Sequence, residues 1–411
     1  MKKIVYISKS SMKYDSRVKN IAASLCKANY DVTVIAEKRF KDLSYSEQRE
    51  YLIKRLFTIS GLYAVEEAFS STKNTAAKTK KTLKSLLRNN KLRILIIVFL
   101  NRIIWNKLCL LEIIKRKPNL IIARDPNTLF IAHLASRLLK IPLFYDSHEI
   151  WSSSNLYLNS SRFMQRFWDR IESKITPKLD CIFITTATKK EIIEQKYNLQ
   201  GVTVLRNTSP MFELDEKRKY DFRQEFDIPS TNKIIIYHGQ ISRIRGIYDI
   251  VEAIRSLSHI SLIFMGMGTD VADLMYYVKD KNISNVFFKK AVPPEEVIPT
   301  IAGADIGVQP FHYSENIYSE TSIKLFECMM AELACIGVSF PEIKAVIEGK
   351  NIGLCYESGN IEMLKEKIIA LTTDETLLAQ AKANAREFKH EYAWETDEKV
   401  LLERVYASIG N

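Results

Sequence analysis

Cysteine is scarce and scattered. The six residues (Cys26, Cys109, Cys181, Cys328, Cys335, Cys355) form no C-x-x-C pair, and no histidine stands near them at metal-ligand spacing. That pattern argues against zinc and against a disulfide framework, and for a reducing, cytoplasmic compartment. Long apolar runs are missing as well. The longest in the most hydrophobic region is Ile94–Leu100, well short of the ~20 residues that cross a bilayer as a helix. The start, MKKIVYISKSS, is only briefly apolar and reads as a first strand, not a signal peptide. There is no internal repeat, no low-complexity tract, and no Asp-x-Asp pair at a strand end, so no bound metal and no cofactor is expected.

The chain has 411 residues, 46% of them hydrophobic and 26% charged, a soluble globular composition long enough for two domains. Charge is divided unevenly. Residues 1–200 carry a net +20 and residues 201–411 a net −8, against +12 for the whole. The basic half expects an anionic partner: a membrane surface or lipid phosphate before a nucleic acid, since no nucleic-acid recognition module accompanies it.

Strands and helices alternate from the outset. Lys2–Ser8 reads as a buried strand, a helix runs to about Ala28, and Asp31–Ala36 is a second strand. This βαβ unit implies a parallel sheet, whose ligands gather beyond the carboxyl ends of the strands. The loop holding Asp15, Ser16 and Arg17 lies there; the plainer reading is a capping Asp and a surface Arg. Residues 70–118 combine Lys73, Lys78, Lys80, Lys81, Lys84, Arg88, Lys91 and Arg93 with an apolar segment containing Trp105. They read either as basic amphipathic helices docking on an anionic membrane face or as a helical insertion packed on the sheet. Strands Asn119–Ala123 and Pro142–Tyr145 end in Arg124-Asp125 and Asp146-Ser147-His148-Glu149. They make Asp125 and His148 candidates. A helix over 162–180, strands Cys181–Thr185 and Val202–Leu205, and a charged linker Glu213–Asp227 complete the first half.

A second α/β unit opens with the strand Lys233–His238, followed by the loop Gly239-Gln240-Ile241-Ser242-Arg243-Ile244-Arg245-Gly246. Glycines on either side of cations let backbone approach a diphosphate and supply counter-charge. The next strand ends in Gly266-Met267-Gly268. The stretch SETSIKLFECMMAELACIG, Ser319–Gly337, reads as loop, helix and strand. Ser319, Thr321 and Ser322 are capping types, and Ile323, Phe326 and Met330 repeat at helical spacing. Lys324 and Glu327 share one side of it. A helix start with a cation and a carboxylate suits a phosphate attached to a sugar, though an ordinary amphipathic helix with a surface pair is the plainer reading.

Five stretches in order resemble the family-four glycosyltransferases: YDSRVKNIAASLCKANYDVTVIA, IIARDPNTLFIAHLASRLLKIPLFYDSHEIW, VLRNTS, YHGQISRIRGIYDIVEAI and SIKLFECMMAELACIGVSFPEI. The resemblance implies an α/β GT-B fold: two facing Rossmann-like domains with parallel sheets and an interdomain cleft. They would comprise an acceptor-binding domain 1–207 with an insertion about 70–118, a nucleotide-sugar domain 208–390, and a C-terminal helix 391–411 crossing back. It implies a retaining transferase moving a sugar from a UDP- or GDP-sugar to a lipid-linked or polysaccharide acceptor in cell-surface glycan assembly, peripheral on the inner membrane face. Arg245 and Lys324 would neutralise the diphosphate, Glu327 would hold the ribose, and His148 and Asp125 would stand at the transferring sugar and acceptor. Gly239, Gln240, Gly246, Gly266, Ser319, Glu320 and Ser322 would complete the donor site; Asp15, Ser16 and Arg17 would line the acceptor side. Three departures stand out. The family's first acid is Ser319 here, with Glu320 one place away; Gln240 replaces a basic residue; and Glu332 occupies the helix-ending glycine position, so a different helix exit is expected. An epimerase of the same architecture and a catalytically silent partner subunit are the alternatives.

Overall fold

The computed structural model describes residues 1–10, 12, 15–38, 44–56, 100–150, 152, 157 and 162–410. The cations expected between Lys73 and Arg93, and Tyr14 of the first loop, lie outside the described residues. Contacts divide the chain into one unit of Met1–Leu205 with Glu398–Asn411, and a second of Arg206–Asp397.

The first unit is built on an eight-stranded sheet. Its strands are β1 (Lys3–Ile7), β2 (Asp31–Glu37), β3 (Ser46–Gln48), β4 (Leu52–Leu56), β5 (Leu120–Arg124), β6 (Leu143–Ser147), β7 (Cys181–Ile184) and β8 (Thr203–Val204). Their order is β3-β4-β2-β1-β5-β6-β7-β8, parallel except for β3 against β4. Runs such as KIVYI, LIIAR and CIFI are apolar without alternation because helices cover both faces of such a sheet. The strands β3 and β4, toward one edge of the sheet, escape sequence reading: SEQ and LIKRL lack that continuous apolar signature.

Between β1 and β5 the strand order reverses, leaving a crevice at their carboxyl ends where ligands bind in open α/β sheets. The second unit repeats the device. Strands β9 (Lys233–Gln240), β10 (Ile260–Met267), β11 (Val286–Lys290), β12 (Ile306–Gln309), β13 (Ala334–Val338) and β14 (Gly353–Tyr356) form a parallel sheet, order β11-β10-β9-β12-β13-β14. Its reversal falls between β9 and β12.

Several helices differ from their sequence reading. Residues 100–116 are helical and turn Trp105, Cys109 and Ile113, at four-residue spacing, into the core of the first unit. Trp105 is 1% exposed, so it is a core side chain and not a surface anchor. Leu100, Ile103, Ile104, Leu111 and Ile114 remain exposed on the other side. The charged linker Glu213–Asp227 is not bare loop. It holds the short helix Phe222–Phe226, capped by Asp221, with Phe222 buried in the core of the second unit. The expected helix over 162–180 is Arg162–Ile175 followed by a tighter turn, Thr176–Lys178, at Pro177.

The helix Ile323–Met330 is not amphipathic in the ordinary sense. Leu325, Phe326, Cys328, Met329 and Met330 are all buried, because it packs between β12 and β13 on one side and the helix Glu375–Phe388 on the other. Only the side with Lys324 and Glu327 stays partly open. Its exit also corrects expectation. Glu332 takes the left-handed conformation (φ 57°) that glycine would, while its N–H donates to Met329 C=O (3.0 Å) and that of Leu333 to Cys328 C=O (3.0 Å). This is the Schellman pattern with a carboxylate residue at the glycine position. The side chain explains it: Glu332 binds Arg386 (2.6 Å) and the buried Lys389 (3.1 Å).

Candidate functional site

In the second unit, β9 ends in His238, Gly239 and Gln240. Gly239 has φ +110°, and a Cβ there would fall 2.0 Å from Lys324 Cε. The lysine stem therefore crosses the strand end over the one residue that makes room for it. Gly246 (φ +66°) meets the loop after β12 equally closely, since a Cβ would lie 1.6 Å from the Pro310 carbonyl oxygen. That contact ties the turn Arg243–Arg245 to the opposite side of the crevice. Gly266 sits beside Gly239 in the β9–β10 register. Gln240 is exposed, and its carbonyl accepts from Tyr237 Oη (2.6 Å).

Two cations converge here. The Arg245 guanidinium lies 5.1 Å from the Phe311 ring centre, and its buried Nε has no hydrogen-bond partner among the described residues. Burial and the positive charge of Arg245 bring the Lys324 amine down to about 8. Neighbouring like charges on half-buried groups are unfavourable unless an anion joins them. Ser322 caps the helix start, its hydroxyl accepting from the Lys324 N–H (3.4 Å).

Glu327 faces this group from the next turn. Burial pushes its carboxyl up, but a 2.8 Å hydrogen bond from His238 and the charges of His238 and Lys324 hold it below its ordinary value. Burial in turn pushes His238 down, while Cys328 and Glu327 outweigh that and raise it to about 9. His238 is thus a cation at neutral pH that keeps Glu327 an acceptor-only carboxylate. Sequence reading missed this histidine; its place directly before Gly239 at a strand end was the available signal.

The Ser319 question resolves locally. Ser319 is fully buried, and its hydroxyl donates to the Glu315 (3.1 Å) and Asn316 (3.4 Å) carbonyls. Its expected ligand contact is thereby corrected. The half-buried Glu320 is, after Glu327, a second acid whose charge reaches Lys324.

In the first unit, Asp15 caps the helix Ser16–Lys27, accepting from the Val18 N–H (3.3 Å), and pairs with Arg124. Ser16 is the exposed first residue of that helix. Arg17 is not on the surface. Its guanidinium is buried, with Nη2 2.6 Å from Asp146 Oδ1 and Nη1 2.9 Å from the Leu205 carbonyl, and Tyr6 also donates to Asp146. Arg17 and Asp146 therefore tie β6 to the first helix and to the end of the unit, a holding role that sequence spacing could not reveal.

Asp125 stands one residue past β5 with φ 59° and ψ 158°, a backbone region that is strained for any residue but glycine. Its N–H donates to the Asp146 carbonyl (3.2 Å) and its own carbonyl accepts from Thr128 N–H (3.1 Å). Burial, with Glu149, Asp146 and Asp15 nearby, raises its carboxyl to about 7 although Arg124 opposes. His148, one residue past β6, is held well below its ordinary value by burial and then by Arg124, Arg17 and Lys189. Near neutrality, then, a neutral imidazole and a half-ionised carboxyl share the carboxyl ends of adjacent strands. Among the described residues no three His, Cys, Asp or Glu side chains converge as a metal-binding set, and no helix is long and apolar enough to cross a membrane.

Two families match the chain. One, described as Glycosyltransferase Family 4, matches residues 16–208; the other, described as Glycosyl transferases group 1, matches residues 218–388. Among solved structures, sucrose-phosphate synthase from Thermosynechococcus elongatus has a TM-score of 0.73 at 14% identity, covering 99% of this chain and 100% of its own. Anabaena HepE in complex with UDP has a TM-score of 0.73 at 13% identity, with the same coverage. WaaG, a glycosyltransferase involved in lipopolysaccharide biosynthesis, has a TM-score of 0.65 at 13% identity, covering 99% and 100%. No sequence among the curated proteins matches.

Proposed function

Given that the chain belongs to the group 1 and family 4 glycosyltransferases and has the GT-B fold, we propose that it is a retaining enzyme that moves a sugar from a UDP- or GDP-sugar to a lipid-linked or polysaccharide acceptor. UDP-sugars come first to test, because Anabaena HepE was solved with UDP-glucose. The observation that carries the reading is the Lys324 amine lying over Gly239, beside an Arg245 guanidinium with an unpartnered Nε. Two neighbouring cations at the reversal of a parallel sheet suit a diphosphate.

In this reading Arg245, Lys324 and the start of the helix Ile323–Met330 take up the charge that grows on the departing nucleoside diphosphate, the preorganised electrostatics that contributes most to such steps. Glu327, held ionised by His238, accepts from the ribose hydroxyls. Glu320, one place from the family's first-acid position at Ser319, contacts the transferring sugar. On the first unit, Asp125 and His148 serve the acceptor hydroxyl, which attacks on the face that the leaving group vacates. A proton acceptor near 7 is matched to that task. The exposed apolar side chains of helix 100–116, beside the basic segment before it, support work at an anionic membrane surface.

The test is direct. Arg245→Ala with Lys324→Ala abolishes donor binding and transfer while circular dichroism and melting stay as in the parent. Unchanged transfer by the double variant would refute the assignment. Product formed from donor alone would favour the epimerase, and absence of nucleotide binding by the parent would favour a silent subunit.

A further inference from the structure

A further cavity lies away from the sites described above. It is a depression of about 910 Å³ in the first unit, lined by His133, Arg137, Lys140, Lys178, Asp180 and Arg404 among others. It sits where β6 and β7 begin, at Leu143 and Cys181, between the end of the helix Pro126–Leu139 and that of Trp394–Ile409. Asp125 and His148 stand at the other, carboxyl ends of β5 and β6.

Four cationic side chains line it against one carboxylate. Asp180 already accepts from the Leu143 N–H (2.9 Å), and Arg137, Lys140, Lys178 and Arg404 have no carboxylate within ion-pair distance among the described residues. Elsewhere the fold does pair its cations, as with Arg17, Arg124 and Lys389. His133 registers the imbalance: partial burial and then Lys178 and Arg137 hold it below its ordinary value. Clustered like charge around a concave surface focuses an anion-attracting field. The guanidinium forks of Arg137 and Arg404 suit phosphate oxygens, and the cavity is larger than one phosphate needs.

We infer that this depression is a second anion site, separate from the donor site, that takes a phosphate-bearing group such as a diphosphate or a phosphodiester headgroup. Two sources share that chemistry. A soluble diphosphate would fill the depression alone. A lipid headgroup would fill it while its chains met the adjoining helix, where Phe130, Leu134 and Leu138 lie exposed at four-residue spacing and Leu138 is 58% exposed.

The experiment follows the His133 ring by NMR, assigned with His133→Asn, in the Arg245→Ala/Lys324→Ala background so that the donor site does not contribute. Titrating inorganic pyrophosphate moves the His133 midpoint up by about one pH unit, because an anion beside it favours the charged ring. Arg137→Gln with Arg404→Gln, both exposed side chains, weakens that response about tenfold. In the second arm, vesicles of phosphatidylcholine with about one third phosphatidylglycerol retain the protein, and the same two substitutions release it. A response in the first arm alone assigns a soluble ligand, and one in the second arm a lipid. If neither arm responds, or if the responses survive Arg137→Gln/Arg404→Gln, the site is disproved.

Discussion

Burial moves Lys324 and Asp125 in opposite directions, and both come to titrate near neutrality. Lys324 is lowered to about 8 by burial and Arg245, so it is a cation below that pH and neutral above it. Asp125 is raised to about 7, chiefly by burial, so it becomes a proton acceptor only as pH rises through that value. The expected kcat/KM profile is therefore a narrow bell, climbing through about pH 7 and falling beyond about pH 8. Asp125→Asn should remove the acid limb, and Lys324→Arg should move the alkaline limb out of range. An alkaline limb that persists in Lys324→Arg would assign it elsewhere. His238 acts through Glu327, so His238→Gln should raise the donor KM about tenfold with little change in kcat, whereas a structural role alone would lower both thermal stability and kcat.

The short helix Ile323–Met330 and its exit show how an element tolerates a residue that its local geometry disfavours. A left-handed Glu332 costs about 1–2 kcal/mol relative to glycine, but its carboxylate neutralises Lys389, which is 3% exposed. Glu332→Ala keeps the strain and leaves that ammonium without its buried partner, so urea denaturation should show a loss of about 3 kcal/mol. Glu332→Gly should recover about 1 kcal/mol of it; a glycine variant as stable as the parent would mean that the ion pair contributes no more than the backbone strain it offsets. At the other side of the crevice, Gly239→Ala adds a Cβ 2.0 Å from Lys324 Cε. It should displace the lysine and abolish donor binding in calorimetry while the melting temperature falls by only a few degrees, about 1–2 kcal/mol.

Across the whole molecule, the chain leaves the second unit through Asp397, which accepts from the Arg206 N–H (3.0 Å) and Thr208 Oγ1 (3.0 Å). It then contributes Leu401 and Val405, both fully buried, to the first unit, where Tyr30 donates to the Gly410 carbonyl (2.6 Å). Ending the chain at Asp397 should lower the melting transition of the first unit while nucleotide binding by the second persists. Loss of nucleotide binding in that truncation would show that the second unit's site depends on the last helix. Leu401→Ala is the milder version, expected to cost about 2–5 kcal/mol.

Apolar strands without alternation, glycines bracketing a basic loop, and Lys324 three residues before Glu327 were legible in the amino-acid order, because each depends on neighbours along the chain. They sufficed for a parallel α/β fold and for singling out the cations at the end of β9 and the start of the helix Ile323–Met330. What could not be read was where side chains are committed to distant partners: Arg17 to Asp146, Ser319 to the turn before it, Glu327 to His238, Trp105 to the core, Glu332 to Lys389. A carboxylate or guanidinium looks the same in sequence whether it meets a ligand or another residue. Burial and the charge that folding brings beside it make the difference, and both come from residues far away along the chain.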